Sequence, residues 1–445
     1  MVSDDHPVDQ PSVPSPSTQG IRRFSQPATI SIVVLGFVCL GWYLIPRGTP
    51  SASFTRVESS TVLEPAIVQH RATAPGVSAT EVLIGLTGPF SGPSKDLGHQ
   101  IQLGIESCFR WINDHGGISG RKLQLVYLDD GYDPEKALGN MKELHEKRQV
   151  FACLGNIGTP AAIKTIPYAL EKKFLFFGGL SGAKILRKDP PDRFVFNYRP
   201  GLEGETSAAV SYLVNIRKIR PEEIAVFAQN DAFGEDGFRG VVKAMHAYGV
   251  DAKNILKVGY ERNTADVKAA VQEITKRTDL RAVVMLATYK PASAFIQQVK
   301  DLNKQIVFTN VSFVGIEALG ESLREAGPDY AEGIIVTEVV PPVDSSATIV
   351  LRYRETLNSY FPAEKPSFLS LEGYIAASIF AEGLKLAGEN LTTDSMIESL
   401  ESIDKLDLGI GSIINFSPSN HDASRKIWGS ILDKSGHFHV LDLFE

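Results

Sequence analysis

Cationic residues are in deficit: 45 lysines and arginines stand against 52 aspartates and glutamates, giving a formal net charge of -7 and an isoelectric point near 5.8. Binding along a phosphate backbone needs clustered Lys and Arg, so no nucleic acid partner is expected. Cysteine is scarcer still. Cys39, Cys108 and Cys153 are too few for a disulfide scaffold. Cys39 follows Val38, where a lipidation signal wants a small residue, and reads as an ordinary apolar-segment thiol. Cys108 lies on an apolar helix face and Cys153 in a strand, so both read as buried thiols, with one bridge as the alternative. No complete dinucleotide fingerprint or phosphate-cradling loop occurs, so a nucleotide enzyme has no support and no cofactor is expected. His437 and His439 share one face of a predicted strand, but further ligands do not cluster near them in the sequence, and no metal site is expected.

Long hydrophobic runs are missing too, with one exception. Residues 28–45, ATISIVVLGFVCLGWYLI, carry no charge, sit between Pro27 and Pro46, and follow Arg22-Arg23. That length is at the short end for a membrane helix, and the arginine pair favours a cytoplasmic amino terminus. We expect a transmembrane signal anchor or a signal peptide, with the anchor preferred because the tail before it is long and acidic for a signal peptide. Residues 1–27 are rich in Pro, Ser, Asp and Gln and predict a disordered cytoplasmic tail. Residues 46–79 read as a flexible linker. The folded part then begins near Thr80 and is periplasmic or extracytoplasmic, anchored to the inner membrane or released after signal cleavage.

What is present is a long alternation of strands and helices. Glu81–Arg121 reads as strand, punctuated loop Thr87–Ser94, long helix with Ile101, Ile105, Cys108 and Ile112 at helical spacing, and exit turn. Strands are predicted over 122–128, 151–154 and 174–177, each followed by a helix or a Gly-rich loop, which implies a parallel sheet. Near Pro200 the pattern restarts, with strands over 224–228, 255–260, 282–286, 306–308 and 334–337 and helices between. Helices over 345–360 and 371–387 follow, then short strands around turns from Ile413 onward.

Six motifs in order carry a resemblance: Ile84-Gly-Leu-Thr-Gly-Pro-Phe-Ser-Gly92; Asn113 with Gly116-Gly-Ile-Ser-Gly-Arg121; Asp129-Asp with Asp133-Pro134; Gly158-Thr-Pro160; Arg193–Arg199; and Asp231-Ala-Phe-Gly234. From Thr80 onward the chain resembles periplasmic substrate-binding proteins of the branched-chain amino acid type. The resemblance implies an α/β fold with two Rossmann-like lobes, parallel central sheets and a multi-stranded hinge, the type I periplasmic binding protein fold. It places residues 80–200 plus 337–422 in lobe 1 and 201–336 plus 423–445 in lobe 2. It also implies a non-catalytic receptor that closes over a small ligand and hands it to the permease subunits of an ABC-type importer.

For the site, Thr159-Pro160 reads as an N-cap with proline at the first helical position, a geometry suited to an anion. By resemblance, Thr159 and the loop Gly179-Leu180-Ser181 hold the ligand's carboxylate, with Ser91 in one wall of the cleft. From the second lobe come Phe233, Thr288, Tyr289 and Ser312. The acid with which amino-acid receptors hold an ammonium is not found in Thr309–Phe313, where Ser312 stands. Burying an ammonium without a carboxylate is costly, so a carboxylate or amide without a free amine fits better, unless Glu338 or Asp231 turns into the cleft. Two alternatives remain: a membrane-tethered sensor working through a partner chain, and a serine hydrolase using Ser181, whose loop approaches a nucleophile elbow but lacks its last glycine.

Overall fold

The structure, a computed structural model, describes residues 74–327 and 329–442. The expected tail and membrane segment, and the linker as far as residue 73, lie outside the described residues. Among the described residues no helix is long and apolar enough to cross a membrane. Residues 74–79 are not linker. Val77 is buried and bridges Val82, while Leu83 N–H bonds to Gly76 O, so the segment folds back on the first strand.

The amino-terminal part alternates β1 (Glu81–Gly88), α1 (Lys95–Asp114), β2 (Lys122–Asp129), α2 (Pro134–Lys142), β3 (Ala152–Leu154), α3 (Thr159–Glu171), β4 (Leu175–Phe177) and β5 (Val195–Phe196). All pairs are parallel, in the order β2-β1-β3-β4-β5. The central strands β3 and β4 are wholly buried, as their unbroken apolar runs require, whereas edge strand β2 alternates buried Leu123 with exposed Lys122 and Gln124.

The second part begins with α4 (Leu202–Ser211) and continues through β6 (Ile224–Gln229), α5 (Ala232–His246), β7 (Lys257–Tyr260), α6 (Lys268–Thr275), β8 (Ala282–Leu286), α7 (Tyr289–Leu302), β9 (Val307–Asn310), α8 (Ile316–Ala326) and β10 (Ile335–Glu338). Then come α9 (Thr348–Tyr360), α10 (Phe368–Ala387), α11 (Thr393–Glu401), β11 (Trp428–Leu432) and β12 (Phe438–Leu441). The second sheet runs β12-β11-β10-β9-β8-β6-β7, antiparallel only where β11 and β12 join. Helices α9 to α11 return to the first lobe. There α10 lies so close to α1 that a Cβ on Gly104 would stand 1.9 Å from Ser370 O.

Three segments cross between the lobes and bond to one another. The first, after β5, is tied to the second, after β10, by Tyr198 Oη donating to Val339 O at 3.1 Å. The third, before β11, pairs with the first through Asn197 N to His421 O, Ala423 N to Asn197 O and Ser424 N to Tyr198 O, at 2.8, 2.9 and 3.1 Å. Because β10 belongs wholly to the second sheet, the second crossing starts after Glu338, just past the expected 336/337 border. Cys108 and Cys153 are both free and buried, and burial pushes each thiol up to about 12.

Candidate ligand cleft

In each sheet the chain reverses its direction of strand addition, between β1 and β3 in one lobe and between β6 and β8 in the other. Crevices at the carboxyl ends of strands beside such switch points are the ligand sites of open α/β sheets. The sequence-predicted residues all fall there: Ser91 after β1, Thr159 after β3, Gly179 to Ser181 after β4, Phe233 after β6, Thr288 and Tyr289 after β8, Ser312 after β9.

The two edges face each other and are in contact. Lys184 N donates to Asp236 Oδ2 at 3.2 Å, Asn263 Nδ2 to Gly131 O at 3.0 Å, and Phe368 N to Glu317 Oε1 at 2.8 Å. Tyr289 reaches across to Asp96 at the start of α1; burial and that bond both raise its phenol above the ordinary range. A groove of 1090 Å³ remains open between the lobes, lined by Asp96, Gln100, Tyr289, Glu317, Ser367 and Phe438 among others.

Thr159 and Ser181 are not among the residues lining that groove; they are 1% and 2% exposed, and their hydroxyls lie 2.8 Å apart. Ser181 Oγ also accepts from Ala183 N at 3.2 Å. The capping expectation for Thr159 is corrected here. Gly158 is the N-cap, Thr159 the first helical residue and Pro160 the second, and the Thr159 hydroxyl caps nothing. No side chain fits at the cap. Gly158 has φ 100°, and a Cβ there would stand 2.7 Å from the Tyr132 ring. With its own helix not served, the Thr159 hydroxyl is turned to Ser181, and the pair forms one buried polar point at the strand ends.

The other candidates divide. Ser91 is exposed, and its hydroxyl and N–H both donate to Asp129, so it pins the loop after β1. Burial opposes the ionisation of Asp129, but the bonds from Ser91, Phe90 and Gly131 hold its carboxyl below the ordinary value. Phe233 is buried, its ring 4.9 Å from Phe313, which in turn lies 6.1 Å from Tyr132 of the first lobe. Thr288 is buried at the N-cap of α7, its N–H donating to Tyr260 Oη at 3.0 Å. Ser312 accepts a hydrogen bond from Arg199 Nη2, and its own N–H donates to Glu205 Oε2 at 2.8 Å.

Of the two acids that could pair with an ammonium, Asp231 is engaged and Glu338 is sealed from water with an Oε1 that has no hydrogen-bond partner. Asp231 accepts from Phe233 N and Gln229 Nε2 and pairs with Arg262 at 3.4 Å. Glu338 is 1% exposed at the end of β10, among Glu205, Glu317, Glu372 and Arg199. The hydroxyl partners of Ser181 are Thr159 and Ala183, and no histidine is among them.

Over residues 81–436 the sequence matches the periplasmic binding protein family. The chain belongs to this family. Among similar solved structures is a possible leucine/isoleucine/valine-binding protein from Rhodopirellula baltica, 36% identical, with a TM-score of 0.78 over 84% of this chain and 99% of that one. A branched-chain amino acid ABC transporter protein from Thermus thermophilus with bound valine is 18% identical, with a TM-score of 0.71 over 82% and 96%, and shares the fold. An "Amino acid binding protein" of Pseudomonas aeruginosa is 23% identical over 70% of this chain and 80% of its own length. This periplasmic binding protein thus has the two-lobed type I fold expected from its motifs.

Two groups of cleft residues were not reached from the sequence. Tyr132 inserts between the lobes, with Gln229 Nε2 3.5 Å from its hydroxyl. Its signal was a tyrosine set between Gly131 and Asp133 at a strand end, with a left-handed φ of 62°. Arg199 with Glu205 and Glu372 occupies the hinge, and only the lone Arg after Tyr198 hinted at it.

Proposed function

We propose that this periplasmic binding protein is the extracytoplasmic solute receptor of an ABC-type importer, and that its two lobes close over a small carboxylate-, amide- or amino-acid-like ligand. The observation that carries the reading is the buried Thr159–Ser181 hydroxyl pair at the carboxyl edge of the first sheet; Phe233, Tyr289 and Ser312 follow strands β6, β8 and β9 of the second. Two adjoining hydroxyls can donate together to one carboxylate. The three bonded crossings supply a hinge, and the different affinities of the open and closed forms for ligand set the balance between them.

A ligand without a free amine is favoured by the engagement of Asp231 with Arg262 and by the absence of an acid from Thr309–Phe313. The membrane segment over residues 28–45 would keep the receptor beside its permease. The test is a thermal-shift screen of the full-length protein against leucine, isoleucine, valine, their 2-oxo acid counterparts and the matching amides. Binding raises the unfolding midpoint with ligand concentration. The oxo acids should stabilise the protein more than the amino acids; tight leucine, isoleucine or valine binding would overturn the preference for an amine-free ligand. Stoichiometric covalent labelling of Ser181 by a serine-directed reagent would instead favour a hydrolase.

A further inference from the structure

The hinge holds more carboxyl groups than its cations can pair. Arg199, 1% exposed on the first crossing, lies 3.3 Å from Glu205 of α4 and 3.6 Å from Glu372 of α10, and donates to Ser312. The second oxygen of Glu205 accepts from Ser312 N and from Thr337 Oγ1 at 2.7 Å. Glu338, at the end of β10, has an Oε1 that is buried without a hydrogen-bond partner, as are Arg199 Nε and Nη1. Glu317 of α8 faces Glu338 from the second lobe and lines the interlobe groove. The other nearby cation, Arg187, is spent on the carbonyls of Ser181, Ala183 and Arg199 and lies 3.7 Å from Asp422.

Three carboxyl groups sealed from water around one guanidinium, with Glu317 beside Glu338, cannot all be ionised without a large desolvation cost. The members come from both lobes: Glu372 from the first, Glu205, Glu317, Ser312 and Glu338 from the second, Arg199 from a crossing. Phe368 N, at the start of the helix that carries Glu372, bonds Glu317 across the interface. Separating the lobes would part Glu372 and Phe368 from the carboxyl groups of the second lobe and admit water between them.

We propose that closure of the lobes takes up protons at the hinge carboxyl groups Glu338, Glu372 and Glu317, so that the closed form gains ground as the medium becomes more acidic. This rests on the reading of the protein as a receptor whose lobes open and close. Burial, reinforced by Glu317, Glu205 and Glu372, raises Glu338 well above the ordinary carboxyl range, and burial lifts Glu372 and Glu317 to about 7. Each group is therefore protonated more readily in the closed form than in an opened, hydrated one. The closed form carries the extra protons between the ordinary carboxyl range and about 7, and closure weakens as pH rises through that window. One proton changes the closed-to-open ratio about tenfold per pH unit.

The test uses the full chain with Cys39→Ser and spin labels at Ile163→Cys on α3 and Leu302→Cys on α7, both exposed and on opposite lobes; the native Cys108 and Cys153 are buried. Pulsed electron resonance gives the closed fraction without ligand from pH 5 to 8.5. We expect that fraction to fall at least about tenfold relative to the open form across the window. Glu338→Gln, which keeps the shape and cannot ionise, should flatten the profile, and Glu338→Gln with Glu372→Gln more so, while the exposed Glu321→Gln should not. A closed fraction independent of pH in the protein with native glutamates, or an identical profile in Glu338→Gln, overturns the proposal. The same labels with the 2-oxo acid and amino acid panel separate the two readings: ligand-driven closure with a flat pH profile sinks only the proton coupling. No distance change under either condition sinks the receptor reading as well.

Discussion

Replacing Gly158 by alanine tests the geometry of the cleft at its tightest point. The residue joins β3 to α3 with φ 100° and ψ 141°, a conformation that L side chains rarely adopt and that costs about 1–3 kcal/mol. The new Cβ would also stand 2.7 Å from Cε2 of Tyr132, so the ring must move. That ring is buried between the lobes near Phe313, and forcing extra volume into such a site costs a further ~1–3 kcal/mol. The total expected loss is about 2–6 kcal/mol. Urea unfolding of native, Gly158→Ala, Tyr132→Ala and the double variant separates the two parts, because alanine at 132 removes the clash and leaves the backbone strain. The pair should couple by about 1–3 kcal/mol. A Gly158→Ala protein within about 0.5 kcal/mol of native, or one whose loss simply adds to that of Tyr132→Ala, would refute the placement of Tyr132 against the α3 cap.

Thr159→Val removes the hydroxyl that meets Ser181 and keeps the shape, so stability should fall by about 0.5–1.5 kcal/mol in the same unfolding assay. Calorimetric affinity for a carboxylate ligand should weaken about tenfold or more, and Thr159→Ser should restore most of it. Phe233→Ala empties a buried aromatic site against Phe313 and should cost about 3–5 kcal/mol, read as a lower urea midpoint. Asp130 accepts from Thr87 Oγ1 and Tyr132 N, yet burial raises its carboxyl to about 6. Its ionised form is thus disfavoured in the folded protein, and stability falls as pH rises from about 4 to about 6. Asp130→Asn should flatten that part of the stability profile, measured by urea midpoints at closely spaced pH values; an unchanged slope would contradict it.

Much of the architecture was legible because its signals are local. The apolar runs of β3, β4, β6 and β8 and the loops that follow them mark parallel strands ending at a crevice, and the predicted ligand residues fall on those ends. What was not legible depends on contacts distant in sequence. Two-residue β5 is a strand only because Phe176 and Phe177 lie beside it. Helix α8 starts from Gly315 at φ 69° without a capping side chain, so no sequence signal opens it. The capping box of Thr392 and Ser395 that opens α11 uses serine where glutamate or glutamine is the usual mark. Thr159 looked like a cap because threonine before proline usually is one. Gly158, packed against the Tyr132 ring, is the cap instead, and the Thr159 hydroxyl meets Ser181. The hinge cluster is the extreme case, since Arg199, Glu205, Ser312, Glu338 and Glu372 are scattered over three elements, the turn after β9 and a crossing.

The most direct measurement is a crystal structure of the full-length protein with whatever ligand co-purifies. A small molecule between the lobes, with a carboxylate oxygen within hydrogen-bond distance of both the Thr159 and the Ser181 hydroxyl, is the expected result. A ligand bound elsewhere, or one held between the lobes with no acceptor group at Thr159 and Ser181, would contradict it.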